Sequence, residues 1–465
     1  MIVDLARAEL RILRRDRSAW WALLALAAFI LLAFAGTTLD AARGNADKAA
    51  IAAAERARWL GQGDKDPHSA AHYSIFAFKP APPLVGLDSG ATPFVGQAIW
   101  LEAHHQNDLL HRPQQGASLL QRAGLTSPAA LILGIGPLVV FLLAFALVAQ
   151  DRERRTMRLA LGLAKHPRLI VGGKALAIWI AATGLLVVPV SIASATTLVL
   201  SGAFSPDAGA RLALWAALMA TYLALPAAIG VLVSLRARSA RIALAILFGS
   251  WILFGLVLPR LASTTVDDVR PLPSSQAVHQ QMLEEAPAYW TAEQSERHKR
   301  QLLAKFGVAR IEDIPNARMA EMDLVERHSH DVFDRILGGF YGRVAAQDRL
   351  FATFGLLSPT IAGQAISASL AGTDFSHQRD FIDTAERYRR DLVNRMNAEG
   401  MAHSAGGAER YTADVRLWGD IPEFAYSQPP LGTGMRDILM AILALGLWIG
   451  VAWWLLRMAA RRITP

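Results

Sequence analysis

The chain has 465 residues, of which 53% are hydrophobic and 18% charged, a balance far from that of an average soluble domain. Its formal charge is +8, but the bases gather in short flanks of apolar segments, so a nucleic-acid partner is not implied. It has no cysteine, which excludes a disulfide framework, a zinc–thiolate site and a thiol nucleophile.

A bilayer core takes roughly 20 mostly apolar helical residues, and six segments reach that length. The first span lies within residues 18–39, after a basic segment, 1–17, whose Ile2, Leu5, Ile12 and Leu13 alternate with arginines as in an interfacial amphipathic helix. Spans two to five occupy 128–258, as apolar runs at 128–149, 175–200, 212–233 and 242–258, and the sixth span is 437–458, followed by the tail 459–465. No ionisable group falls near the middle of any of them, which argues against a proton- or ion-coupled carrier. The spacing of the bases sets the orientation. Arg7 to Arg17, Arg152 to Lys174, Arg236 to Arg241 and Arg457 to Arg462 all fall on one side of a six-span chain. That side is expected to be the cytoplasm of a bacterial inner membrane, with both termini inside.

Two insertions face the other way. Residues 40–127 carry eight bases and eight acids, and residues 260–435 carry nineteen bases and twenty-four acids, so the excess positive charge belongs to the cytoplasmic flanks and meets anionic lipid. Both insertions read as mainly helical and periplasmic, at 40–127 and 259–436. Residues 40–60 are Ala-rich and extend the first span as a helix. The Pro- and Gly-rich stretch 79–93 lacks regular structure. Long helical periodicity runs over 313–354, with Met319, Met322, Val325, Val332, Ile336 and Phe340, and again over 374–397. The uncharged stretch 350–373 is broken at Ser358-Pro359, which reads as an N-cap and first turn. It is expected to be a short apolar helix in the outer domain or on the membrane surface, not a seventh span. The fold class is therefore an all-α integral membrane protein with six transmembrane helices.

The chain lacks a phosphate-binding loop: Gly172-Gly173-Lys174-Ala175 has neither the upstream glycine nor the hydroxyl for magnesium. It also lacks G-x-S-x-G and H-E-x-x-H patterns, so neither a nucleotide hydrolase nor a serine or zinc hydrolase is indicated. The connection after the second span, 151–168, runs Asp151-Arg152-Glu153-Arg154-Arg155-Thr156-Met157-Arg158, then a short apolar stretch to Lys165 and Arg168, then Gly172-Gly173-Lys174 entering the third span. That order resembles the ABC-2-type exporter permeases, and the segment 1–17 is similar to their interfacial helix. Here the glycine that often precedes the threonine in that family is replaced by Arg155. The resemblance implies that 151–168 is a coupling helix seated on a separate ATPase dimer, which holds ATP and magnesium. Glu153, Arg154, Thr156, Arg158 and Lys165 would then serve coupling, with Gly172 and Gly173 as a joint and Lys174 reaching the interface. The stretches Asp66 to Tyr73, Leu101 to Asn107, Leu357 to Pro359 and Leu370 to Asp374 resemble a subfamily with large periplasmic insertions. Membership implies a second permease, identical or related, and leaves room for a periplasmic protein partner. Export of an amphipathic molecule is the first reading. Mechanical action of the outer domain on a periplasmic partner, or a membrane-anchored metal-binding protein, are the alternatives.

Eleven of the twelve histidines lie in the two insertions. His68 and His72 are four apart, on one helical face, a spacing that metal sites use. Glu102, His104 and His105 are candidate companions, and His328-Ser329-His330-Asp331 is a second cluster. The sequence by itself favours ordinary polar histidines, so metal binding is carried only as a candidate.

Overall fold

The computed structural model describes residues 2–110, 127–153, 156–157, 162, 167–286, 291–314, 317–403 and 411–461. Helices dominate, and five are long and apolar enough to cross a membrane, or six if one bent pair is a single span. The chain is thus a multi-pass, mainly helical membrane protein. Helix α1 (Ile2–Arg15) meets α2 (Arg17–Leu60) at Asp16, whose carboxylate accepts from the Ala19 N–H. At 1.5 Å per residue α2 is about 66 Å long, twice the bilayer core, so its second half leaves the bundle as a stalk, as the Ala-rich stretch 40–60 foretold. Helices α4 (Pro128–Gly134) and α5 (Gly136–Glu153) form the bent pair, broken by 41°. The break falls at Ile135, just before Gly136-Pro137, where proline cannot continue the hydrogen-bond ladder. Helices α6 (Leu169–Leu200), α7 (Pro206–Arg236) and α8 (Ala240–Val269) follow, and the chain returns at the end as α15 (Met435–Arg461).

Three five-residue π-helical stretches interrupt these helices, at Phe145–Ala149, Thr183–Val187 and Leu253–Val257. Two of them stand just ahead of Pro189 and Pro259, where the missing N–H displaces the ladder by one residue.

The two insertions build one domain together. The first supplies α3 (Pro67–Ala71) and an antiparallel sheet in the order β1 (Ile75–Phe78), β2 (Ala98–Leu101), β3 (Gln106–Leu110). The register pairs Ile75 with Leu101 and Phe78 with Ala98, and a bulge lies between Ile99 and Leu101 on the β3 side. This sheet was not expected in an insertion read as mainly helical, although helix still exceeds strand among its described residues. Its strands are too short for their alternation to stand out in the sequence, and their pairing is non-local. The second insertion supplies α9 (Ser275–Glu285), α10 (Ala292–Phe306), α11 (Ala317–Thr353), α12 (Pro359–Ala371), α13 (Phe375–His403), α14 (Val415–Asp420) and a strand β4 (Leu431–Gly434). Ile99 and Leu101 of the sheet share a core with Phe333 and Leu337 of α11 and Phe381 and Ile382 of α13. The stalk end is held by Trp59, whose Nε1 donates to the Trp418 carbonyl at 2.9 Å.

Helix α12 is the larger correction to the sequence reading. It neither lies on a surface nor sits in the outer domain; its Ala362, Ile366, Leu370 and Ala371 belong to the same buried cluster as the membrane-spanning helices. A Cβ at Gly363 would meet Leu133 at 2.7 Å, so glycine there permits the close approach to α4. Polar tethers complete the wedge. Trp215 Nε1 donates to Ser367 Oγ at 2.9 Å, Tyr222 Oη lies 3.2 Å from Thr360 Oγ1, and Ser358 Oγ donates to the Phe254 carbonyl at 2.6 Å. Ser358 does occupy the N-cap position before Pro359 but makes no side-chain cap bond. Its hydroxyl is spent on α8 instead. At the other end, buried Arg211 donates to the Ser369, Leu370 and Pro429 carbonyls while pairing with Asp207 at 2.6 Å. A guanidinium on the last carbonyls of a helix is also favoured by the helix dipole.

Candidate functional site

Two places gather chemistry-bearing residues: the end of the bundle where α1 lies, and the interior of the outer domain. At the first, α1 packs along the start of α6. A Cβ at Gly173 would stand 2.9 Å from Leu5 Cβ, and one at Gly172 would stand 3.0 Å from Ile2 Cδ1. The two glycines sit inside an unbroken helix, so they are a close-packing surface and not a flexible joint. Lys174, expected to reach the interface, is 2% exposed and ion-paired at 2.8 Å to both Glu9 and Asp151. It therefore ties α6 to α1 and to the end of α5.

Glu153 accepts from the Ala240 N–H at 3.0 Å, at the N-terminus of α8. Beside it, Arg152 donates to the Ser234 and Ala237 carbonyls at 2.7 and 2.6 Å, a tether that the sequence reading missed. Thr156 Oγ1 donates back to the Asp151 carbonyl at 3.0 Å and lies 3.1 Å from Asp151 Oδ1, so it closes the preceding turn. Arg154, Arg158 and Lys165 lie outside the described residues.

At the second place the sequence spacing is realised in space. Asp66 caps α3 by accepting from the Ser69 N–H at 3.0 Å, with Pro67 in its first turn. This one-turn helix sets His68 and His72 on one face. The four-residue turn between β2 and β3 brings His104 to them. His72 Nε2 lies 3.1 Å from His68 Nε2 and 3.1 Å from His104 Nε2. All three ligand atoms fall within 4.8 Å of one another.

The backing is buried. His68 Nδ1 lies 3.1 Å from Asn397 Oδ1, and Asn397 Nδ2 donates to Glu326 Oε2. Glu326 Oε1, which makes no hydrogen bond, lies 3.3 Å from His104 Nδ1. Glu326 is 3% exposed and Asn397 4%. The turn itself is fixed by Arg389, which donates to the Glu102 and Ala103 carbonyls and grips Glu386 through two bonds of 2.8 and 2.7 Å. Burial lowers the pKa of His68 and of His72 below the usual imidazole value, which keeps these imidazoles neutral and their lone pairs available.

His105 does not join them. It points to the other side of the turn and lines, with Phe76, Trp100 and His279, a cavity of about 550 Å³. Glu102 also stays apart, accepting from Asn107 Nδ2 at 3.3 Å. Among the described residues the 328–331 cluster does not assemble as a ligand group; His328 Nε2 lies 3.2 Å from the Glu285 carbonyl. Glu326, Asn397 and Arg389 were not singled out from sequence. Nothing marks them there, because they come from helices some 200 residues and more beyond the histidines they back.

A family model described as a domain of unknown function, DUF3526, matches residues 276–427. That stretch contains α12, Glu326, Arg389 and Asn397 but none of the three clustered histidines. No curated protein and no solved structure matches the chain.

Proposed function

We propose that the chain is the membrane subunit of an ATP-driven exporter of the inner membrane, its ATPase being a separate polypeptide that holds ATP and magnesium. The observation that supports this most is the bracing at the α1 end of the bundle. There α1, the end of α5, the start of α6 and the α7–α8 turn are joined by Lys174, Arg152 and Glu153. A push on the 151–168 connection would then move four elements together, as a coupling segment requires. This end carries the arginine-rich flanks and faces the cytoplasm, with both termini; the outer domain is periplasmic. Two permeases, identical or related, would complete the unit. Because ATP can shift the spans only by binding better to one of their arrangements, closure of the ATPases must favour one packing of these braced helices.

The wedge α12 supports a mechanical second reading. It is continuous in the chain with α11 and α13 of the outer domain, yet bonded to α7 and α8 among the spans. A shift of the spans is therefore passed to the outer domain without any cargo crossing. Purification of the tagged chain in mild detergent from its host, with identification of co-purifying proteins and an ATPase assay, tests the proposal. Recovery of an ATPase that fails to bind a variant with Arg154 and Arg158 reversed to Glu supports it; a chain recovered without any ATPase overturns it. ATP-dependent uptake of labelled amphiphiles into inverted vesicles separates export from the mechanical reading.

A further inference from the structure

We propose that His68, His72 and His104 form a three-histidine site for a divalent transition-metal ion, zinc by its geometry, that fastens the first insertion to the second. The inference does not rest on the ATPase reading. It starts from proton accounting. Asn397 gives its Nδ2 hydrogens to Glu326, so its Oδ1 faces His68 Nδ1 and must accept from it. The Nδ1 of His68 therefore carries the proton and its Nε2 carries a lone pair. Glu326 Oε1 makes no hydrogen bond, but its charge 3.3 Å from His104 Nδ1 favours the proton on that nitrogen and so a lone pair on His104 Nε2. Both lone pairs converge on His72 Nε2, each at 3.1 Å. A proton on His72 can satisfy one of these two contacts and not the other. A cation among the three nitrogens satisfies both.

The spacing suits zinc. Zinc–imidazole bonds of about 2.0–2.1 Å place tetrahedral nitrogens roughly 3.3 Å apart, and two of the three edges are already 3.1 Å. Three imidazoles with a fourth position open is a known zinc arrangement, and exposed His72 leaves that position toward solvent. Buried Glu326 and Asn397 behind the outer two rings fix tautomer and orientation, the usual duty of groups behind metal-bound histidines. The Glu326 carboxylate, 3.3 Å from His104 Nδ1, offsets part of the ion's charge. In the absence of cysteine, no thiolate competes for the ion.

The placement of the ligands gives the ion its role. His68, His72 and His104 come from the first insertion, while Asn397 and Glu326 come from α13 and α11 of the second. Binding would draw α3 and the β2–β3 turn onto these helices and stiffen the outer domain.

The test uses the full chain in detergent, stripped with a chelator and titrated with zinc against a fluorescent competitor. One equivalent is expected for the wild type, and cobalt(II) in its place should give the visible absorption of a four-coordinate ion. His72→Ala, at an exposed position, should abolish stoichiometric binding without altering the circular dichroism spectrum. His105→Ala should bind as the wild type does. Glu326→Gln keeps the shape but not the charge, and should weaken zinc by about 10- to 100-fold. Zinc should also raise the melting temperature of the wild type and leave that of His72→Ala unchanged. Absence of stoichiometric zinc in the wild type overturns the proposal. Undiminished binding in the His72→Ala, His104→Ala double variant overturns it equally.

Discussion

Adding one methyl group at Gly173 should loosen α1 from the bundle while the same change at Gly172 should not. The Cβ of Gly173→Ala would lie 2.9 Å from Leu5 Cβ, an atom carried directly by the α1 backbone. Carbon atoms settle at about 3.5–4.0 Å, so α1 must withdraw by nearly 1 Å or strain must be stored. Overpacking of this kind costs about 1–3 kcal/mol. The gain in helix propensity from replacing glycine acts on α6 whether or not α1 is docked, so it cancels from the docking equilibrium. The undocked fraction should then rise about 5- to 150-fold. At Gly172 the opposing atom is Ile2 Cδ1 at 3.0 Å, the free end of a flexible side chain beside the start of the helix, and the effect should stay within about twofold. A cysteine at buried Ala6, the sole thiol in a cysteine-free chain, reports undocking as its rate of maleimide labelling, with a cysteine at exposed Ala8 as the fully open reference. Equal rates for the wild type and Gly173→Ala, or equal rises for the two glycine variants, would refute the close-packing argument and restore the flexible joint.

Lys174→Met should be strongly destabilising, by about 3–5 kcal/mol, because Glu9 and Asp151 would face each other without their cation. Adding Glu9→Gln and Asp151→Asn should recover much of the loss in detergent melting curves, and a neutral Lys174→Met would contradict the pairing. Ser367→Ala removes the hydroxyl that accepts from Trp215 and donates to Asp88. Leaving the Trp215 indole N–H and Asp88 Oδ2 buried without this partner should cost about 2–6 kcal/mol at about 1–3 for each, and a shift in melting temperature below 1 °C would be inconsistent with α12 as a tethered wedge. The pH dependence of the outer domain should follow His330, which burial, and then Arg389 and Arg390, hold down to about 4. A histidine kept neutral in the fold but free to charge on unfolding contributes stability that is full above pH 6.5 and lost as pH falls toward 4. His330→Gln should flatten the melting curve over that window, and an unchanged slope would count against this assignment.

The membrane segments were legible from the sequence because a bilayer demands an uninterrupted apolar run of fixed length, a property of consecutive residues. The helical extension of the first span to Leu60 and the long helices of the second insertion were legible for a similar reason, since their periodicity is local. The spacing of His68 and His72 was also visible as one turn of a helix.

What required the tertiary structure is everything set by residues distant in the chain. The β1–β3 sheet forms only because its strands find one another and then the helices α11 and α13. Uncharged α12 carries no signal that distinguishes a surface helix from one wedged among spans; its partners Trp215, Tyr222 and Phe254 make that decision. Gly172-Gly173 reads equally as a joint or as a contact until α1 is laid across it. The third histidine, and the carboxylate and amide that orient two of the three, come from a hairpin turn and two helices of the other insertion. Periodicity records which face a residue occupies on its own element, whereas a site is made by which elements meet, and that is fixed by packing.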